Sequence, residues 1–186
     1  MMKKLFLLLV TAVMTLTASA QVYLGGEMNF WRDWENSANN TTFSIAPEIG
    51  YNLDENLSIG TTIGYAYSYQ GGKIDTKVNA IVVSPYVRYT WLKLNNVNLF
   101  LDGGFGFGTY KTKVEDHSGD AQNAWEVGLK PGVSVNLTDQ LSFIAHVGFF
   151  GYRTSDDATS ETFFGQNGFG LKLDGTDLKF GLVWNF

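Results

Sequence analysis

Seven of the ionisable residues in the 186-residue chain fall at positions that alternate with apolar ones: the acids Glu27, Glu48, Asp102 and Glu126, and the bases Arg88, Lys130 and Lys179. Gathered in one interior, they would form an ion-pair network, since an unpaired buried charge is expensive. Such a network acts as a structural plug or, in a wider passage, as a gate on a narrow proton or ion path. His146 raises a second chemistry, a general base beside a serine. Ser142 is four residues away, about 13 Å along a strand at roughly 3.3 Å per residue. That excludes a same-strand dyad and leaves hydrogen bonding in the core as the expected role. His117-Ser118, beside Glu115 and Asp116, could suit a hydrolase or a metal, but a polar loop does not hold such groups in register. Gly104-x-Gly106-x-Gly108 lacks the helix that a phosphate-binding glycine motif must open. No catalytic, cofactor-binding or metal site is therefore expected, and no cofactor.

The elements that must carry these residues are strands. After Gln21, apolar residues recur at every second position, the strand period. Val22, Leu24, Met28 and Phe30 oppose Tyr23, Glu27 and Asn29. Phe43 to Tyr51 alternates with Ser44, Ala46, Glu48 and Gly50. Further strands set Leu57, Ile59 and Ile63 against Ser58, Gly60 and Thr62, and Val83, Val87 and Trp91 against Ser84, Tyr86 and Arg88. Leu99, Leu101, Phe105 and Phe107 oppose Asp102, Gly104 and Gly106, while Trp125, Val127 and Leu129 oppose Glu126, Gly128 and Lys130. Leu141, Phe143, Val147 and Phe149 oppose Ser142, His146 and Gly148, and the last strand sets Phe180, Leu182, Trp184 and Phe186 against Lys179, Gly181 and Asn185. Eight strands result. The connections at 52–56, 92–96 and 136–140 are short, whereas those at 33–41, 70–77, 111–122 and 153–175 are longer and polar. Short turns at one end and long loops at the other are the pattern of an outer-membrane barrel.

Asn52-Leu53-Asp54-Glu55-Asn56-Leu57-Ser58 is echoed by Asn136-Leu137-Thr138-Asp139-Gln140-Leu141-Ser142. The three prolines, Pro47, Pro85 and Pro131, each lie six residues before Leu53, Trp91 or Leu137. Strand interiors exclude proline, so this common level predicts an outward-facing bulge or non-bonded site. Phe169, Leu171 and Leu173 also alternate. An even strand count assigns them to the final strand, with a bulge at Asp174-Gly175.

Sidedness separates a membrane barrel from a soluble one. The apolar face carries no charge, and its aromatics cluster near strand ends: Tyr51, Tyr89, Trp91, Trp184 and Phe186 at one level, Phe30, Phe43, Tyr67 and Trp125 at the other. Such belts mark the two membrane interfaces. Met1-Met2-Lys3-Lys4, an apolar run to Leu16 and Ala18-Ser19-Ala20 read as a signal peptide over 1–20, cleaved after Ala20. Removing Lys3 and Lys4 takes the formal charge from −5 to −7, which argues against a nucleic-acid partner. With no Cys, disulfides cannot hold the fold.

Lys179-x-Gly181-x-x-Trp184-x-Phe186 resembles the signal by which the barrel assembly machinery reads a terminal strand. With the proline spacing and the Asn-Leu turns, residues 21–186 resemble the small OmpA-like and OmpX-like outer-membrane β-barrel domains. The resemblance implies an all-β, eight-stranded antiparallel up-and-down transmembrane barrel in the outer membrane of a Gram-negative cell. It implies a structural or surface role in envelope stability, adhesion or defence, with a narrow porin-like channel as the alternative and a lipid A-modifying enzyme third. The partners implied are outer-membrane lipid and lipopolysaccharide, the assembly machinery, and host or surface ligands at the long loops.

Overall fold

The computed structural model describes residues 21–33, 40–72, 74–115, 117–156, 164, 167–173 and 178–186. The predicted signal peptide and the predicted bulge at Asp174-Gly175 lie outside the described residues. The strands are β1 (Val22–Asp33), β2 (Asn40–Asn52), β3 (Leu57–Gln70), β4 (Thr76–Leu94), β5 (Val97–Val114), β6 (His117–Asn136), β7 (Leu141–Val147), β8 (Phe149–Ser155), β9 (Gly168–Lys172) and β10 (Leu178–Asn185). All pairings are antiparallel. β6 pairs with β7 below and β8 above, so these two segments are halves of one barrel strand broken at Gly148. β9 and β10 likewise belong to the last strand. The ten segments therefore make eight barrel strands, and β1 against β10 closes the ring, from Tyr23↔Asn185 to Glu27↔Gly181.

Local chemistry sets the short turns. The Asp54 carboxylate accepts hydrogen bonds from the backbone N–H of Asn56 and Leu57 at 2.7 and 2.8 Å. In the repeat, the Thr138 hydroxyl accepts from Gln140 and Leu141 at 3.2 and 2.9 Å. Such side chain-to-backbone bonds are why Asp and Thr favour turns. The third turn joins Leu94↔Val97 directly and places Asn95 at φ 47°, a left-handed conformation that asparagine tolerates.

The prolines mark interruptions. The β2–β3 ladder runs to Ile45↔Tyr65 and resumes at Glu48↔Thr62, skipping Pro47. The β4–β5 ladder skips Pro85 between Val83↔Phe107 and Tyr86↔Gly104. Pro131 falls where β6 changes partner from β7 to β8. Pro47 and Pro85 are exposed on the outer wall and Pro131 is half-buried there, so each missing N–H coincides with a ladder position that has no pair.

Two expectations need correction. The polar stretches at 70–77 and 111–122 are largely strand: Gln70 pairs with Thr76, and Val114 pairs with His117. β4, β5 and β6, at 19, 18 and 20 residues, far exceed the roughly 9–11 residues that span a bilayer. Their polar ends therefore continue as sheet beyond the membrane. Phe149, expected on the outer face, points inward and is buried at 4% exposure. Gly148, with φ +104°, adds one residue to the strand and reverses its parity. A Cβ at Gly148 would stand 2.3 Å from the Lys172 carbonyl oxygen, so both backbone angle and space require glycine there.

The outer wall is apolar, with Ile63, Ile81, Val127, Phe150, Tyr152, Phe180 and Leu182 all exposed. Among the belt residues, Tyr89, Trp91, Trp184 and Phe186 ring the short-turn end, and Phe30 and Trp125 ring the other. No described helix is long and apolar enough to cross a membrane; the chain crosses with strands.

Candidate functional site

Inside the barrel the side chains fall into layers. At the short-turn end is a vestibule of roughly 670 Å³ lined by Asn52, Asn98, Asn136 and Asn185 together with Ser58 and Ser142. Ser58 Oγ donates to Asn52 Oδ1 at 2.8 Å, and Ser142 Oγ to Asn136 Oδ1 at 3.0 Å. Above it Tyr23, Phe100, Ile144 and Val183 form an apolar cluster, each 5% exposed or less. Two of these rings sit over glycines. A Cβ would lie 2.1 Å from Tyr23 at Gly50 and 2.3 Å from Phe100 at Gly132, so only glycine leaves room for them.

The charged layer comes next. Arg88 donates to both Asp102 oxygens, Nε to Oδ1 and Nη2 to Oδ2, each at 2.8 Å. Its Nη2 also lies 3.2 Å from Glu48 Oε1. The guanidinium carbon is 4.3 Å from the Phe100 ring centre and 5.0 Å from that of Tyr86. Tyr86 donates to Glu48 and exchanges a 2.7 Å hydroxyl–hydroxyl contact with Tyr23. His146 places Nδ1 2.9 Å from Glu27 Oε1 and Nε2 2.9 Å from Asp102 Oδ2. Both ring nitrogens are thus committed to carboxylates, and Ser142 is committed to Asn136.

Glu126 sits higher, bonded to Lys130 and, at 3.2 Å, to Arg153 Nε. The Arg153 guanidinium stacks 3.8 Å from the centre of Phe149. Lys179 borders the same cavity and acts electrostatically on Glu27 and Glu126. All seven residues singled out from the sequence therefore line one cavity of about 90 Å³, room for a few ordered waters. Arg153, Phe149 and His146 join them there. Sequence reading placed Arg153 in a loop, leaving four acids against three bases. That unbalanced count was the signal that a base was missing, and the shifted parity after Gly148 supplies it.

Above the charges a second apolar cluster, Ala80, Val82, Tyr110, Ala124 and Phe164, closes the layer. Phe164, within the 153–175 stretch read as a polar connection, is buried at 6% exposure. A Cβ at Gly106 would meet its ring at 2.9 Å. Gly106, in the glycine repeat of β5, thus makes space for an aromatic lid.

The remaining candidates are not assembled into sites. His117 and Ser118 are exposed at the start of β6, and no metal-binding group of His, Cys, Asp or Glu occurs among the described residues. In the terminal motif, Lys179 and Gly181 follow the inward parity of β10, whereas Trp184 and Phe186 are exposed at the barrel's base.

Residues 5–186 match the model of the outer membrane protein beta-barrel domain. The chain belongs to this family. Neisserial surface protein A shares the fold at 16% identity and TM-score 0.53, over 89% of this chain and 97% of that one. The N-terminal barrel of Pseudomonas aeruginosa OprF aligns at 12% identity and TM-score 0.47, over 90% of this chain and 98% of that one. No curated protein matches the chain in sequence. Family and fold place the barrel in the outer membrane, surrounded by its lipid, and agree with the apolar outer wall.

Proposed function

We propose that this barrel is a structural and surface-interaction element of the outer membrane, with a sealed lumen, serving envelope stability, adhesion or defence. The observation that carries the reading is the stacking of layers. Apolar clusters lie below and above the charged layer, and Arg88 alone among the described lining residues borders both the central cavity and the vestibule. Charges paired this closely are a plug, because an eight-stranded barrel is only just wide enough for side chains to fill. The signal peptide over 1–20, recognition of Lys179, Gly181, Trp184 and Phe186 by the assembly machinery, and contact with lipopolysaccharide and surface ligands belong to the same proposal.

Planar-bilayer recording tests it: the purified barrel is expected to give no reproducible conductance steps, and steady unitary steps would favour the narrow channel. The enzyme reading is disfavoured by His146, whose two nitrogens face Glu27 and Asp102 rather than a serine. Lipid A profiles with and without the protein are expected to be identical.

A further inference from the structure

The ring closes unevenly where its first and last strands meet. β1 and β10 pair from Tyr23↔Asn185 to Glu27↔Gly181 and no further, although β1 continues beside β2 to Asp33↔Asn40. The Phe186 N–H bonds the Val22 carbonyl at 3.1 Å. Val22, Leu24 and Gly26 are therefore the β1 residues whose backbone groups point across this seam, since bonded and non-bonded pairs alternate in an antiparallel ladder. Continued, the alternation would join Met28 to Phe180, and that pair is not formed. β9, the upper part of the last strand, pairs with β8 alone. Among the described residues, the upper edge of β1 and the edge of the last strand beside it thus stand open to one another.

Exposure traces the opening. The five residues of the rung Asn29↔Ser44↔Ala66↔Ala80↔Tyr110 share the inward parity. Asn29 is exposed, Ser44 and Ala66 are half-buried, and Ala80 and Tyr110 are buried at 6% and 5%. On the other bank Lys179 is inward by parity and borders the central cavity, yet it too is exposed. A Cβ at Gly168 or Gly170 would meet nothing within 4 Å. The outward side chains of both banks are apolar: Met28 and Phe30 on β1, and Phe169, Leu171 and Phe180 across the seam. Met28 and Phe169, at 72%, are the most exposed large hydrophobic side chains among those described.

The height of this slot decides what meets it. Met28 lies level with Ile45, Tyr65 and Ile81, on the lipid-facing wall in the half nearer the long loops. Unpaired backbone N–H and C=O groups are costly against hydrocarbon. An acyl chain covers the apolar banks but cannot bond the open edge; a head with donors and acceptors can. Asn29 adds an amide that does both. The charges beside the slot are already answered: Glu27 holds His146 at 2.9 Å, and Lys179 acts on Glu27 and Glu126. An ionic head would add an uncompensated charge, so the chemistry selects an uncharged one.

We propose that the open seam is a lateral binding slot for a neutral, single-chain glycerolipid of the outer leaflet. Its acyl chain lies on Met28, Phe30, Phe169 and Phe180, and its hydroxyl and ester oxygens bond Asn29 and the free edge of β1. The slot opens sideways, above the apolar cluster of Tyr23, Phe100, Ile144 and Val183. It therefore rests on outer-membrane residence and not on conduction along the barrel axis.

The test uses the folded barrel in nanodiscs of a diacyl phosphatidylcholine, with monooleoylglycerol as the probe. Without probe, the amides of Met28, Phe30 and Phe180 are expected to exchange at least about 100-fold faster than those of Leu24, Gly26 and Leu182, and the probe should slow them. Equal protection without probe means a closed seam and overturns the slot. Protection that rises with protein concentration instead of with probe assigns the edge to a second copy and overturns the lipid. Monooleoylglycerol carrying a chain diazirine should label Met28, Phe30 and Phe180 about tenfold more heavily than Ile81 and Val127 elsewhere on the wall. Unlabelled monooleoylglycerol should displace it, and oleate should not. Even labelling around the wall overturns the site, and equal displacement by oleate overturns the neutral head. Asn29→Leu should lower labelling at the seam and leave that at Ile81 unchanged, while Asn29→Ser keeps most of it; labelling unaffected by Asn29→Leu overturns the role of that amide. A barrel that conducts but still labels at the seam would sink the sealed-lumen reading and leave the slot standing.

Discussion

Arg88 and Arg153 are both buried cations in the same lumen, yet they are held differently. Arg88 meets Asp102 through two parallel hydrogen bonds and touches Glu48 as well, between the rings of Phe100 and Tyr86. Arg153 bonds Glu126 through Nε at 3.2 Å, a carboxylate that Lys130 also meets, and stacks on Phe149. The Arg88 centre draws on β2, β4 and β5 in regular register and adjoins the closed seam through Tyr23. The Arg153 centre depends on one irregular residue, Gly148, which turns the side chain inward. The lower centre is therefore over-determined, and the upper one hangs on a bulge.

That contrast can be broken most directly at Arg88. Arg88→Ala leaves Asp102 and Glu48 buried without their cation, and is expected to destabilise the barrel by about 3–5 kcal/mol, as for other broken buried pairs. Urea unfolding in detergent reads this as a lower midpoint; an unchanged midpoint would mean that water already screens the pair. The same substitution removes the side chain between the two cavities, so a rise in planar-bilayer leak is expected alongside it.

Arg153→Ala should cost less, about 1.5–3 kcal/mol, the range for hydrogen bonding to a charged group, because Lys130 still accompanies Glu126. Equal losses at the two arginines would mean that the two centres are held equally firmly. Gly148→Ala tests the bulge itself. With φ at +104° and a carbonyl in the way, about 1–3 kcal/mol of strain is expected. A double-mutant cycle with Arg153→Ala should show the two losses to be non-additive, since the first already misplaces the second. Additive losses would show that the arginine reaches Glu126 without the bulge. The smallest effect is expected at Phe149→Leu, which keeps an apolar side chain but removes the ring beneath Arg153, for about 0.5–1 kcal/mol; a larger loss would make the ring, rather than Glu126, the principal partner.

Much of this was legible in advance because strand parity is binary. Once Arg88 alternates with Val87 and Tyr89, it must face opposite to them, and the same logic brought Glu27, Glu48, Asp102, Glu126, Lys130 and Lys179 to one lumen. It failed where the count slips by one. Nothing in Val147-Gly148-Phe149 announces a bulge, since a glycine on the inward face of a narrow barrel is ordinary, as Gly128 and Gly132 show. Phe149 and Arg153 were consequently misplaced together. The long polar stretches misled for a different reason. Their outward residues, such as Lys77, Lys111 and Lys113, face water or headgroups, so the apolar alternation that signals a strand is lost although the ladder continues.

By itself the sequence determined the strand number, the sidedness of the wall and the membrane address. All three follow from alternation that any eight-stranded closure must respect, with apolar groups toward lipid and charges toward one another. Only the tertiary structure decided which charge meets which, that His146 bridges Glu27 and Asp102, and that Phe164 caps the lumen. Those partners lie on strands far apart in the chain, and their meeting depends on stagger, on one bulge and on which glycines leave room for a ring. Alternation along a single strand carries none of that information.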